Sequence, residues 1–174
     1  MPSIAVCSFA LLEQEIARLK PWGVVSLLSP GSMIDTPAGF DRDRHLPVAI
    51  HDITEAIDGH THPMSEHAAQ LIDFGQRWDA GSPLLIHCWA GVSRSTASAF
   101  ITACALNPQT SEREIAAEIR ACSPTATPNR MLVAHADDIL QRGGRMVDAV
   151  DAIGRGEDCW EGVPFSIPAS WAPR

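Results

Sequence analysis

The middle of this chain constrains its fold more than any other part. Pro83-Leu84-Leu85-Ile86-His87 is a short apolar run, preceded by the breaker Ala80-Gly81-Ser82 and followed by Cys88. A run that is apolar at successive positions reads as a strand buried on both faces, as in a parallel sheet covered by helices. Residues 88–94 then form a loop with Gly91 near its centre. Residues 93–106, rich in Ala, Thr and Ile, read as a buried helix.

The rest of the pattern is consistent with that unit. Residues 3–7 read as a buried strand, and Ser8 is a candidate cap for a helix over 9–20, where Leu12, Ile16 and Leu19 recur at helical spacing. Pro21 and Gly23 end it, residues 24–28 read as a second strand, and Ser29-Pro30-Gly31 supplies turn chemistry. Residues 32–44 read as surface loop and 46–50 as a third strand. After a polar stretch over 51–62, Pro63 suits a first helical turn. Met64, Ala68, Leu71, Ile72, Gly75 and Trp78 then make an apolar helical stripe. Ser111 with Glu114 is a capping-box pattern ahead of Ile115, Ile119 and Cys122. Two further helices are expected over 128–141 and 145–153. The fold class that follows is α/β: a central, mostly parallel sheet of four to five strands flanked by helices, with a helical C-terminal third. One domain is expected over 1–154, with an irregular tail over 155–174 that carries Pro164, Pro168 and Pro173.

Composition narrows the function. At 174 residues and 45% hydrophobic, the chain is long enough to bury a core without staples. Its formal net charge of −8 argues against a broad nucleic-acid or anionic-membrane surface, which clustered Lys and Arg would form, so neither is expected as a partner. Five scattered cysteines do not form a disulfide framework. The first residues show no basic segment leading into a long apolar stretch. Both readings point to a reducing, cytoplasmic setting.

The chemistry is expected in residues 83–99. An ordinary thiol is mostly protonated at neutral pH, with a pKa of about 8.5. A helix N-terminus and a ring of inward amides stabilise negative charge, and a loop built this way makes Cys88 a candidate nucleophile. The backbone of Trp89, Ala90, Gly91, Val92 and Ser93 would cradle phosphate oxygens. Gly91 allows the close approach, and Arg94 offers a planar fork for a bidentate grip. Ser93 and Ser95 are both near enough in sequence to donate to the sulfur, with Ser95 favoured. A lone cysteine ending a strand is ordinarily a small core residue, so the assignment depends on the whole segment.

His87-Cys88-Trp89-Ala90-Gly91-Val92-Ser93-Arg94-Ser95 resembles the His-Cys-x5-Arg-Ser/Thr signature of the protein-tyrosine phosphatase superfamily, and the Ala-Gly-Val-Ser-Arg-Ser stretch is most similar to its dual-specificity branch. The resemblance implies phosphoryl transfer to Cys88 and hydrolysis of the cysteinyl-phosphate, with no metal and no cofactor. The expected substrate is a phosphorylated protein or a small phosphate ester. It implies a general-acid Asp some thirty-odd residues upstream. Asp52, directly after the third expected strand, is the first candidate and Asp58 the second. Asn129, after Pro128, resembles an element that braces the phosphate loop, and His87 is expected to be neutral and structural. The chain has no Tyr, so the tyrosine of a deep phosphotyrosine pocket is missing, as are the loop lysines of phosphoinositide 3-phosphatases. His60, His62 and His67, with Glu66, read as solvated side chains rather than a metal cluster. The competing readings are a phosphate-binding module without turnover, and sulfur transfer or arsenate reduction on a similar anion loop.

Overall fold

A computed structural model describes residues 2–171. Five strands form one sheet: β1 (Ser3–Ser8), β2 (Gly23–Leu28), β3 (His45–Ala49), β4 (Leu84–Cys88) and β5 (Phe165–Pro168). Their order is β3-β2-β4-β1-β5, with the first four parallel and β5 antiparallel to β1. Six helices accompany them: α1 (Leu12–Leu19), α2 (Ser65–Arg77), α3 (Arg94–Leu106), α4 (Glu112–Cys122), α5 (Arg130–Ile139) and α6 (Arg145–Ile153). The sequence expectation of an α/β sheet with a helical C-terminal third therefore holds.

β1, β2 and β4 are buried on both faces because their side chains alternate between two cores, whereas β3, at the edge, leaves Pro47 exposed. Ile4, Val6, Leu84 and Ile86 point into the larger one, with residues of α2 to α6. Ala5, Cys7, Val24 and Leu85 point into a smaller one beneath α1 and the loop around Phe40. α3 is the central helix: Ala97, Ala99, Phe100, Ile101 and Ala103 are fully buried, and its small residues let neighbouring helices approach closely.

Three local expectations are corrected. The first helix starts later: residues 9–11 form a 3-10 turn, α1 begins at Leu12, and the Ser8 hydroxyl donates to the Glu161 carboxylate rather than capping α1. Ser111 precedes α4 with no side-chain cap bond, so the capping box is not formed through its hydroxyl. The tail is not wholly irregular, since residues 165–168 add a strand to the outer edge of β1. An uncovered edge exposes a row of unpaired backbone groups, and β5 satisfies them; Pro168 is tolerated because β5 is itself an edge strand. Residues 172–174, with Pro173, lie outside the described residues.

Candidate active site

The parallel strands end on one side of the sheet, where α/β folds place their ligands. β4 delivers Cys88 there, in register with Ser8 at the end of β1. The loop that follows is shaped by where its carbonyls go. The Trp89 carbonyl accepts from Phe9 N (3.1 Å), Ala90 from Gly162 N (2.9 Å), Val92 from Thr127 N (2.9 Å) and Ser93 from Asn129 N (3.3 Å). Thr96 Oγ1 also donates to the Val92 carbonyl (2.6 Å). In a trans peptide the next N–H points opposite to the C=O. Carbonyls held outward by donors from three separate segments therefore turn the amides of residues 90, 91, 93 and 94 the other way, into a cup. α3 starts at Arg94 and adds the free amides and positive dipole end of its first turn.

Gly91 has φ +74, and a Cβ there would lie 2.9 Å from the Cys7 carbonyl carbon and the Ser8 nitrogen. Backbone conformation and space both require glycine.

Cys88 is 2% exposed, and its Sγ lies 3.1 Å from Ser95 Oγ. Arg94 is 6% exposed; one guanidinium nitrogen donates to the Ile50 carbonyl (2.8 Å), while Nε is buried with no hydrogen-bond partner among the described residues. A buried guanidinium donor left unpaired is costly, and an anion in the cup would satisfy it. Arg94 and Trp89 line a cleft of about 200 Å³ together with Leu28, Ser29 and Ser32. Asp52 follows β3 and is exposed; its Oδ1 accepts from Ser93 Oγ (2.7 Å) and Asn129 Nδ2 (2.9 Å).

No family model and no curated protein matches this chain. Solved structures do. DUSP15 superposes with a TM-score of 0.57 at 19% identity, covering 87% of this chain and 92% of that one. The PTP-2 phosphatase of Cydia pomonella gives 0.55 at 18% identity, over 76% of this chain and 83% of that one. Human DUSP28 gives 0.52 at 18%, over 75% and 81%. The fold is that of the dual-specificity phosphatases. The resemblance read from residues 87–95 thus extends to the architecture around them.

Within this phosphatase fold the expected residues fall in different places. Cys88, Arg94, Ser95 and the backbone of residues 89–93 converge on the cup. Asp52 stands beside it, whereas Asp58 sits at an exposed turn where its carbonyl accepts from His60 Nδ1 (3.2 Å). Ser93 turns its hydroxyl to Asp52 rather than to the sulfur. Asn129 was expected to brace the phosphate loop, and its backbone does so. Its side chain instead holds the loop after β3, at Asp52 Oδ1 and the Ile53 carbonyl (3.1 Å), while capping α5 through Leu132 N (3.0 Å).

His87 is fully buried under the loop. Its Nε2 lies 2.7 Å from Ser26 Oγ, which lies 2.9 Å from His45 Nε2. Burial pushes the His87 pKa down to about 4, with His45 and Arg94 acting in the same sense and a backbone contact to Cys88 opposing. The ring is therefore neutral at physiological pH. Burial, helped by Glu15 and Cys88, pushes the neighbouring Cys7 thiol up to about 12, which leaves it unreactive. His60 packs edge-on to His51 and His67 Nδ1 accepts from Met64 N (3.0 Å) at the start of α2. Among the described residues no group of three or more His, Cys, Asp or Glu converges as a metal site, and no helix is long and apolar enough to cross a membrane.

Two features were not anticipated from the sequence. One is the Ser93–Asp52–Asn129 triangle, whose members are 41 and 77 positions apart from Asp52. The other is Gly162, which reaches the outer side of the loop from the tail. A Cβ on it would lie 3.1 Å from the Gly91 carbonyl and 3.3 Å from that of Ala90. Its only sequence signal is a glycine in a Pro-punctuated stretch, which has many ordinary explanations.

Proposed function

We propose that the chain is a phosphomonoester hydrolase working through a cysteinyl-phosphate. The observation that carries this reading is the cup itself. A strand-end thiol 3.1 Å from a hydroxyl sits beside a buried guanidinium that is tied to Ile50 and keeps an unpaired donor. In the first step the Cys88 thiolate attacks phosphorus, the P–O bond to the leaving group breaks, and Asp52 gives its proton to that oxygen. In the second, Asp52 takes a proton from water as the water oxygen bonds to phosphorus and the P–S bond breaks. Ser95 donates a hydrogen bond to the departing sulfur. The loop amides and Arg94 carry the charge of the equatorial oxygens throughout. Substrates under this reading are phosphorylated side chains or small phosphate esters.

The test is Cys88→Ser assayed on p-nitrophenyl phosphate. Turnover is expected to fall on the order of 10⁴-fold or more, as it does when a nucleophile is removed. Tungstate binding, followed by calorimetry, should persist because the amides and Arg94 remain. Wild-type turnover by the variant would remove the proposal. Turnover of thiosulfate to thiocyanate by the wild-type protein would favour sulfur transfer instead.

A further inference from the structure

The two faces of the sheet are unequally covered, and the thinner side leaves a groove. There, α1 and the loop over 34–40 cover β1, β2 and β4 with a small core whose outer members, including Phe9, Ile16 and Ile34, are only partly buried. Between helix and loop runs a groove of about 610 Å³, lined by Phe9, Leu12, Ile16 and Ile34 and by two acids, Glu13 and Asp35. Both acids are exposed, and neither forms an ion pair among the described residues; on the same helix, Glu15 is paired with Arg18. The groove borders the phosphate cup. Phe9, one of its walls, stacks on Trp89 with ring centroids 5.7 Å apart, and Trp89 lines the cleft that contains Arg94.

We propose that this groove is a substrate subsite that takes a basic side chain of a phosphorylated polypeptide whose phosphoresidue occupies the cup. The proposal rests on the phosphatase reading above and adds a substrate class to it. Lys and Arg lay an aliphatic stem along apolar surface and keep the charged end at a polar rim, which suits an apolar groove carrying two unpaired carboxylates. The same carboxylates, in a chain of net charge −8, oppose a second negative group across the groove. Nucleoside polyphosphates, phosphoinositide headgroups and nucleic acid all bring one. A small monoester reaches the cup alone and leaves the groove empty. An extended peptide advances about 3.3 Å per residue, so a side chain about two to four positions from the phosphoresidue passes the Phe9–Trp89 pair.

The experiment compares three synthetic phosphopeptides carrying Lys or Arg, Gln, or Glu at those positions, with inositol bisphosphate, ADP and p-nitrophenyl phosphate alongside. The proteins are the full wild-type chain and Glu13→Gln/Asp35→Asn. At low ionic strength the wild type is expected to prefer the basic over the acidic peptide by about five- to thirtyfold in kcat/KM, the upper part of the roughly two- to thirtyfold range that two exposed ion pairs supply. The double variant should reduce that preference to within about twofold while leaving p-nitrophenyl phosphate turnover unchanged. Equal rates on basic and acidic peptides, a preference that survives in the variant, or faster turnover of ADP or inositol bisphosphate than of any peptide would each overturn the proposal. If even p-nitrophenyl phosphate is inert, the phosphatase reading fails on its own. Calorimetric binding of the same peptides then decides the subsite. A basic-over-acidic preference lost in the variant sustains it, and equal affinities overturn it.

Discussion

Asp52 is held by two donors on one oxygen, Ser93 Oγ and Asn129 Nδ2, and this contact has a chemical consequence. With Oδ1 occupied, Oδ2 is the oxygen left to carry a proton to a leaving group. Ser93 and Asn129 act as positioning residues under the proposed mechanism: they orient the acid without contributing a proton. Ser93→Ala removes one donor and leaves the α5 cap of Asn129 intact. We expect it to lower kcat about tenfold on an alkyl phosphate, whose poor leaving group needs the proton, and less than about threefold on p-nitrophenyl phosphate. Asp52→Asn should show the same trend more steeply. A plot of log kcat against leaving-group pKa reads both variants. Equal losses across the series would take the acid role away from Asp52. Asp52 was nominated because the family resemblance implies an acid some thirty-odd residues before Cys88, and its place directly after an expected strand ranked it ahead of Asp58. Its partners come from the phosphate loop and from the start of α5, and nothing in the local sequence links them.

At the scale of elements, the loop from Cys88 to Arg94 is shaped from outside as much as by its own residues. Phe9 after β1, Thr127 and Asn129 before α5, and Gly162 in the tail each donate to one of its carbonyls. The tail is also tied by β5 on β1, by the Glu161 carboxylate on the Ser8 hydroxyl, by Glu157 N on the Pro124 carbonyl and by Asn107 on the Ala169 carbonyl. Gly162 is therefore a sensitive place to perturb the cup from a distance. Its missing Cβ would sit 3.1 Å from the Gly91 carbonyl, so Gly162→Ala must displace strap or loop by a few tenths of an ångström. A shift of that size in a preorganised anion site is expected to cost roughly three- to tenfold in kcat/KM, while the melting temperature moves by no more than about 2 °C. Steady-state assays with differential scanning fluorimetry check this. Unchanged kinetics would mean that the tail merely covers the sheet edge. Residues 165–168 read as irregular because a four-residue edge strand between prolines has too short a pattern to recognise.

The whole molecule carries a pH dependence through its buried histidines. His87 has its pKa pushed down to about 4, chiefly by burial, and burial lowers that of His45 as well. A histidine in the unfolded chain titrates near 6.5, so between pH 6.5 and 4 the unfolded state binds more protons than the native one. Stability from His87 is fully present above pH 6.5 and is lost as pH falls toward 4. The depression corresponds to roughly 3 kcal/mol. Urea unfolding at pH 7 and pH 4.5 should therefore show a steep loss in the wild type. His87→Gln, less stable at pH 7 because it disturbs the Ser26 contact, should lose appreciably less over the same interval. Parallel pH slopes for the two proteins would place the acid sensitivity elsewhere.

What this sequence determined by itself is what depends on neighbours along the chain: a buried strand, a seven-residue turn from Cys88 to Arg94 around one glycine, and a small-residue helix. Strand and helix periodicities repeat over a few residues, and a loop of that length leaves its two ends little freedom, so the sheet and the strand–turn–helix unit could be read in advance. Tertiary structure alone decided which groups surround that turn: Asn129 against Asp52, Gly162 against Ala90, Phe9 against Trp89, and the acidic groove beyond them. Those contacts join segments tens of residues apart, and they exist only once two hydrophobic cores have chosen which surfaces meet.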